Sequence, residues 1–201
     1  MTDCALIIFT RNPELGKCKT RLAKSVGDVE ALKIYKHLLQ HTANVSKKVD
    51  AERFVFYSEN IQQNDIWDNA FFNKKLQYGD DLGERMENAF QTLFSEGFKK
   101  VIIIGSDLLD LKEEIIQNAY KKLKENDAVI GPAEDGGYYL LGMKNLNKNV
   151  FKNKNWGTET VLKKTKKDFF EQSLYVLETL NDIDYLEDLK PYKEFNYLFK
   201  N

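Results

Sequence analysis

Short apolar runs alternate with longer amphipathic stretches along this chain. Four of the runs have the length of a strand and contain only apolar or aromatic residues, at 5–9, 54–57, 101–104 and 128–130. A run that is apolar on both faces is typical of a central strand covered on both sides, as in parallel sheets. The pattern therefore predicts a buried sheet with at least four strands.

The stretches between these runs show the apolar spacing of helices. After Asp28, a candidate N-cap, apolar residues recur every three or four positions as far as Val45. Similar spacing over 86–94 and 115–123 predicts two more helices, and a later helix is expected over 157–170. Two further short strands are expected at 138–141 and 174–177.

Strands that alternate with helices predict an α/β fold, here a three-layer αβα sandwich with a mostly parallel central sheet. No linker or repeat divides the chain, so we expect a single domain over 1–201. The lysine-rich stretch 145–154 is expected to be a solvated loop. The aromatic residues near the C-terminus are expected to dock on the core or on a second subunit, which leaves a homo-oligomer open.

Composition narrows the classes of function. The chain carries 30 Lys and Arg against 31 Asp and Glu, a net charge of −1, which disfavours a nucleic-acid partner. The apolar runs are too short to span a bilayer, and no cationic leader is visible at the start. The two cysteines form no CxxC pair, which favours a reducing, cytoplasmic location.

The first apolar run is followed by a basic loop, at the edge where open α/β sheets bind ligands. Residues 11–24 hold five cations and one anion around Gly16. Cations, backbone N–H groups and the start of a helix together suit a phosphate group, although a solvated basic loop is the alternative. The spacing is not that of a Walker A loop. The five cations are Arg11, Lys17, Lys19, Arg21 and Lys24.

Acidic residues follow the later strands at the same edge. Asp107 comes after the third run, where it can hold Mg²⁺ together with phosphate oxygens or cap the next helix. Asp135 precedes two glycines that allow close approach to a ligand or simply form a tight turn. Asp182 and Asp184 alternate, so they can present two carboxylates to one side or act as caps. In 79–86 the acidic residues also stand in capping positions.

Six segments carry a family resemblance, and they are RNPELGKCKTRL at 11–22, QYGDDLGERM at 77–86, GSD at 105–107, GPAEDGGYYLLG at 131–142, WGT at 156–158 and DIDYLEDL at 182–189. In this order they resemble the nucleotide-diphospho-sugar transferase superfamily with the GT-A fold. Within it the chain is similar to a small bacterial family of glycosyltransferase-like proteins associated with radical-SAM or selenodomain proteins. That family is related to the phospholactate and molybdenum-cofactor guanylyltransferases. The chain departs from the family pattern at Leu109, which replaces a proline, and at 185–186, which replaces Thr-Pro.

The resemblance implies roles for individual residues. It implies that Asp107 and Asp184 bind a metal, with Asp182 as a further candidate. Asp107, Lys19 and Asp135 are the implied catalytic residues, with Asp135 orienting or deprotonating an acceptor hydroxyl. The implied nucleotide and phosphate contacts are Arg11, Gly16, Lys19, Arg21, Glu84 and Arg85. The implied acceptor-side residues are Asp135, Gly136, Gly137, Tyr138 and Trp156.

The resemblance also implies a class of reaction. We expect a transferase that uses Mg²⁺ or Mn²⁺ and a nucleotide-activated donor, most simply a glycosyltransferase with a nucleotide-diphospho-sugar and a small-molecule acceptor. One alternative is a guanylyltransferase-like nucleotidyltransferase that uses an NTP and a phosphorylated acceptor. A second alternative is a nucleotide-binding protein without catalysis.

Overall fold

The computed structural model, which describes residues 2–199, contains one seven-stranded sheet. The strands are β1 (Cys4–Thr10), β2 (Glu52–Tyr57), β3 (Asn73–Leu76), β4 (Lys100–Ile104), β5 (Ala128–Pro132), β6 (Tyr138–Met143) and β7 (Leu174–Val176). They lie in the order β3-β2-β1-β4-β6-β5-β7. Only β6 runs antiparallel to its neighbours, so the predicted mostly parallel sheet is confirmed.

Helices cover both faces of the sheet. The α-helices are α1 (Thr20–Val26), α2 (Asp28–Ser46), α3 (Leu82–Ser95), α4 (Glu113–Glu125) and α5 (Val161–Lys167), with 3₁₀ helices at Lys148–Phe151, Leu186–Leu189 and Lys193–Phe199. One buried cluster joins the sheet to α1, α2 and α4, and a second joins the opposite face to α3 and the segment around Phe151. The fold is thus the three-layer sandwich that the sequence predicts.

The alternation of side chains along β1 explains why this strand is central. Leu6 and Ile8 pack into one cluster, while Ala5 and Ile7 pack into the other, and all four are fully buried. Successive residues of a strand point to opposite faces, so a strand buried on both sides must be apolar throughout. The apolar runs of the sequence are therefore explained by burial of these strands on both faces.

The strand order produces a crevice next to β1. The chain passes from β1 to β2 on one side and later returns to place β4 on the other side. At such a switch point the connections leave in opposite directions, and ligands bind beyond the carboxyl ends of the two strands. The loops after β1 and β4 therefore border one crevice.

Several local predictions were wrong. The helix expected over 157–170 is confined to α5, and α2 begins at Asp28 itself with Gly27 as its N-cap. The expected solvated loop 145–154 contains the buried Val150 and the Lys154 side chain, which is 1% exposed. Lys154 is buried because its ammonium lies 2.6 Å from a carboxylate oxygen of Asp168.

The aromatic C-terminal segment docks on the chain's own core. Phe195 is buried and packs edge-on against the ring of His37 on α2. The Tyr192 hydroxyl donates a hydrogen bond of 2.9 Å to Asp110. Among residues 2–199, no helix combines the length and the apolar character that crossing a membrane requires.

Candidate active site

Lys19 reaches the crevice from the loop between β1 and α1. It precedes α1 with φ 47 and ψ 47, a left-handed conformation that costs a non-glycine residue about 1–2 kcal/mol. Gly16, with φ 74, makes the preceding turn of the same loop. The Lys19 side chain lies inside the crevice and is 6% exposed.

Two carboxylates share the ammonium of Lys19. Its Nζ donates hydrogen bonds of 2.9 Å to Asp107 Oδ2 and of 2.9 Å to Asp184 Oδ1. Arg21 adds a second cation, since its guanidinium lies 3.0 Å from Asp184 Oδ2 and 5.7 Å from the centre of the Tyr185 ring. The basic loop after β1 thus faces the acidic residues that follow later strands.

Backbone hydrogen bonds hold the two acidic loops together. The N–H of Ile183 donates to the carbonyl oxygen of Asp107 at 3.1 Å. One carboxylate oxygen of Asp188 accepts from the N–H groups of Asp184 at 2.9 Å and Tyr185 at 2.6 Å. Ile183 itself is fully buried, so the flanking residues Asp182 and Asp184 lie together at the crevice.

Asp107, Asp182 and Asp184 form a compact carboxylate cluster, in which one oxygen of each lies within 4.8 Å of the others. Burial and the negative charges of its neighbours raise the pKa of Asp182 to about 6. Burial also opposes ionisation of Asp184, but Lys19 and Arg21 outweigh it, so the pKa of Asp184 is lowered. The same pairing raises the pKa of Lys19 against the effect of its burial.

The donor set of this cluster fits a hard divalent cation. Carboxylate oxygens are the ligands that Mg²⁺ and Mn²⁺ prefer, and Mg²⁺ commonly completes its shell with phosphate oxygens and water. Lys19 pairs with Asp107 and Asp184 but not with Asp182, whose pKa burial and, to a lesser extent, the neighbouring carboxylates raise. The structure therefore joins Asp182 to Asp107 and Asp184, the two metal ligands that the resemblance implies.

Asn12 fixes the start of the basic loop, a role that the sequence pattern did not indicate. Its buried amide donates to the carbonyl of Asn60 at 2.8 Å and to its side-chain oxygen at 2.9 Å. The amide oxygen of Asn12 accepts from the N–H of Glu59 at 3.1 Å. The carbonyl of Arg11 accepts from the hydroxyl of Tyr35 at 3.1 Å, while the Arg11 side chain is exposed.

The segment 79–86 is held by its own capping interactions. Asp81 is the N-cap of α3 and accepts from the N–H of Glu84 at 2.9 Å, while Glu84 accepts from the N–H of Asp80 at 2.7 Å. The guanidinium of Arg85 donates to the carbonyl of Gly79 at 3.0 Å. Nucleotide contacts by Glu84 and Arg85 stay a prediction.

A cavity of about 210 Å³ opens beside Asp107 and Asp182, and four of the five predicted acceptor-side residues line it, all except Gly136. Asp135, Tyr138 and Trp156 line it. The rings of Tyr138 and Trp156 meet edge-to-face with their centres 6.5 Å apart. Asp135 accepts a 2.7 Å hydrogen bond from the N–H of Gly137, and the carbonyl of Gly136 accepts one of 2.8 Å from Leu162.

A larger cavity of about 420 Å³ lies between α4 and β7. Glu114, Tyr175 and Glu178 are among its lining residues, and none of the residues implicated by the sequence reaches it. We take the smaller cavity as the candidate site because it adjoins the carboxylate cluster at the carboxyl edge of the sheet.

Comparison with solved structures defines the class of fold. A protein of Desulfovibrio desulfuricans G20, provisionally named a nucleotide-diphospho-sugar transferase, has a TM-score of 0.89 and 32% identity, over 97% of this chain and 88% of its own. A cytidylyltransferase of Leptospira borgpetersenii serovar Hardjo-bovis has a TM-score of 0.64 and 13% identity, over 98% and 88%. The 4-diphosphocytidyl-2C-methyl-D-erythritol synthase of Anaerococcus prevotii DSM 20548 has a TM-score of 0.62 and 12% identity, over 98% and 96%. The fold is therefore that of nucleotide-diphospho-sugar transferases and cytidylyltransferases.

The family follows from the sequence. Residues 41–158 match the family described as "Uncharacterized protein conserved in bacteria (DUF2064)", and the chain belongs to this family. A comparison with curated proteins finds no match. The matched range contains Asp107, Asp135 and Trp156 but excludes Lys19 and Asp184, which the fold brings to the same crevice.

Proposed function

We propose that this protein is a metal-dependent glycosyltransferase that uses a nucleotide-diphospho-sugar donor. The observation that carries the proposal is the cluster of Asp107, Asp182 and Asp184, which the cations of the basic loop face across the switch-point crevice. The similarity to the D. desulfuricans protein, at 32% identity over nearly the whole chain, supports the same class of donor.

The three carboxylates would hold Mg²⁺ or Mn²⁺, which supplies positive charge to the diphosphate when it is bound. Lys19 and Arg21 lie on the loop side of the cluster, where they would bind phosphate oxygens and stabilise the charge that grows as the diphosphate leaves. Asp135 would accept the proton of the acceptor hydroxyl. The bond between the sugar C1 and the diphosphate oxygen breaks, a bond from C1 to the acceptor oxygen forms, and the nucleoside diphosphate departs.

A nucleotidyltransferase is the second candidate, because two of the compared structures of the same fold are named as a cytidylyltransferase and a 4-diphosphocytidyl-2C-methyl-D-erythritol synthase. In that reaction the acceptor attacks the α-phosphate of an NTP and pyrophosphate departs. Lys19 and the carboxylate cluster would serve both reactions, so the leaving group separates them.

The two functions are separated by a product assay. The protein is incubated with Mn²⁺ and either nucleotide sugars or NTPs, and released nucleoside diphosphate and pyrophosphate are quantified with and without a panel of neutral sugars and sugar phosphates. Release of nucleoside diphosphate from one nucleotide sugar, lost in Asp107→Asn and on addition of EDTA, is the expected result. Release of pyrophosphate alone would establish the second candidate.

A further inference from the structure

The charges around the carboxylate cluster are distributed unequally. On one side lie the cations of the basic loop, of which Lys19 and Arg21 contact the cluster directly. On the other side lies the 210 Å³ cavity, whose charged lining residues are Asp107, Asp135 and Asp182. Among the described residues, no lysine, arginine or histidine lines this cavity. The crevice thus has a cationic half and an anionic half.

A bound divalent cation would not reverse this asymmetry. The cluster and Asp135 supply four carboxylates, against which stand the two positive charges of the metal, the ammonium of Lys19 and the guanidinium of Arg21, so no positive charge is left over. Both cations lie on the loop side of the cluster, so the cavity side would have no cationic side chain to offset the negative charge that a donor diphosphate adds. A second phosphate placed there would lose its hydration without gaining a cationic partner, which is strongly unfavourable.

The remaining wall of the cavity is apolar and aromatic. Tyr138 and Trp156 present an edge-to-face pair, and Leu82 and Met86 lie beside them. Gly83 allows this arrangement, because a Cβ at that position would lie 2.7 Å from the Trp156 ring. Such a wall fits the apolar face of a ring, while carboxylates accept hydrogen bonds from hydroxyl groups.

The size of the cavity restricts the occupant further. A volume of 210 Å³ lies below the range of about 300–1,000 Å³ that is usual for pockets that bind drug-sized ligands. That space holds a compact group of about one ring rather than a nucleotide. The nucleotide part of a donor must therefore lie outside the cavity.

We propose that this cavity takes a hydroxyl-bearing ring without negative charge, and that phosphate groups bind only on the Lys19 side of the carboxylate cluster. The inference rests on the proposed function for the placement of the donor, and it excludes a phosphorylated group from the cavity. It therefore separates the two candidate reactions, since a phosphorylated acceptor needs cations on both sides of the cluster.

Trp156 provides a direct probe of the cavity. The chain contains two tryptophans, and Trp67 is 1% exposed, so quenchers in solution reach mainly Trp156. Quenching by caesium and by iodide is measured at constant ionic strength, in Mg²⁺ and in EDTA, relative to N-acetyltryptophanamide. The ratio of the caesium quenching constant to the iodide quenching constant is expected to exceed the ratio for N-acetyltryptophanamide at least threefold, both in Mg²⁺ and in EDTA. The Trp156→Phe variant shows which part of the quenched emission comes from Trp156. Asp135→Asn is expected to lower the caesium-to-iodide ratio, because it removes a negative charge from the cavity.

A matched series of rings tests the occupant itself. Glucose, glucosamine and glucose 6-phosphate are titrated while Trp156 emission is recorded, with saturating Mg²⁺ and a nucleoside diphosphate present. Glucose, which is uncharged, and glucosamine, which is cationic, are each expected to bind at least tenfold more tightly than glucose 6-phosphate. A preference for iodide, tighter binding of glucose 6-phosphate, or no binding of either unphosphorylated ring up to 100 mM would overturn the inference. Quenching needs neither metal nor donor, so failure of the proposed function would leave the expected preference for caesium unchanged, and a preference for iodide would overturn the inference alone.

Discussion

The ammonium of Lys19 lies 2.9 Å from the carboxylate of Asp107, although 88 positions separate the two residues in the sequence. The contact joins the loop after β1 to the loop after β4 across the crevice that they border. The Lys19 side chain is largely shielded from water, so the pair holds the two loops together and places the proposed phosphate-binding cation beside the candidate metal ligands.

Replacement of Lys19 by Met is expected to destabilise the metal-free protein by about 1–3 kcal/mol. The change leaves Asp107 and Asp184 close together without their shared cation, and partial exposure of both carboxylates reduces the cost from that of a fully buried pair. The melting temperature in EDTA should fall by about 2–10 °C. Mn²⁺ should restore most of this loss, because the metal replaces the missing positive charge.

Lys17→Met is the matched control for Lys19→Met. Lys17 belongs to the same loop, but its side chain is 60% exposed and pairs only with surface glutamates. Its loss should leave the melting temperature unchanged within error, because an exposed ion pair contributes little to stability. Equal melting temperatures for the two variants in EDTA would contradict a stabilising role of the Lys19 contacts.

Asp182→Asn is expected to stabilise the metal-free protein above pH 6. The folded-state pKa of Asp182 is about 6 against 3.8 for a carboxyl exposed to water, as in the unfolded chain, so the unfolded chain loses this proton first as pH rises. The contribution of Asp182 to stability is thus present below pH 4 and is lost as pH rises to about 6. Asn has nearly the same shape as Asp and is uncharged at every pH. The free energy of unfolding of the variant at pH 7 should therefore exceed that of the natural protein by about 1–3 kcal/mol.

Urea unfolding in EDTA between pH 4 and pH 7 measures this difference. The advantage of Asp182→Asn should be smallest near pH 4 and should grow towards pH 7, whereas stabilisation by Mn²⁺ should be weaker in the variant than in the natural protein. A difference that does not change with pH, or a variant that is less stable at pH 7, would mean that Asp182 does not carry uncompensated charge.

Substitution of Glu84 separates capping from nucleotide contact. Glu84→Ala removes the acceptor for the N–H of Asp80 and should cost about 1 kcal/mol of stability. Glu84→Gln keeps an acceptor oxygen and should stay within about 0.5 kcal/mol of the natural protein. If Glu84 only caps α3, Glu84→Gln will bind the donor normally; a tenfold loss of donor affinity in calorimetry would instead establish a contact with the nucleotide.

Gly136→Ala tests the packing that positions the acceptor-side loop. Gly136 has φ 85, and a Cβ there would lie 2.5 Å from the backbone of Glu159. Gly157 has a similar φ of 78 but open space around its Cβ position. Gly157→Ala should therefore cost about 1 kcal/mol from backbone strain alone, and Gly136→Ala should cost several kcal/mol. Similar melting temperatures for the two variants would show that the loop moves freely.

The sequence predicted those parts of the fold in which burial dictates residue type. The central strands β1 and β4 are buried on both faces, so their apolar runs could be read without any tertiary information. Lys19 and Asp107 were selected because they follow the ends of predicted strands, whereas Asp184 was selected from the family resemblance, and the fold brings the three into contact. Their roles in catalysis and metal binding stay predictions.

The missed features depend on partners that are distant in sequence. The edge strand β3 reads NKKL and has no apolar run, so only its pairing with β2 defines it. Lys154 is buried because Asp168 folds back against it, which a lysine-rich segment does not reveal. Asn12 is a short polar residue in a loop, and its function as a cross-link appears only when Asn60 is beside it.

Titration of Mn²⁺ into the protein, followed by electron paramagnetic resonance, tests the central claim most directly. The natural protein is expected to bind one Mn²⁺ at the carboxylate cluster, and more tightly when a nucleoside diphosphate is present, because phosphate oxygens complete the metal's shell. Asp107→Asn and Asp182→Asn should each lose this binding, while Glu114→Gln, in the unrelated cavity, should retain it. Unchanged Mn²⁺ binding in both aspartate variants, or no binding by the natural protein with any nucleoside diphosphate, would contradict the metal site and the function built on it.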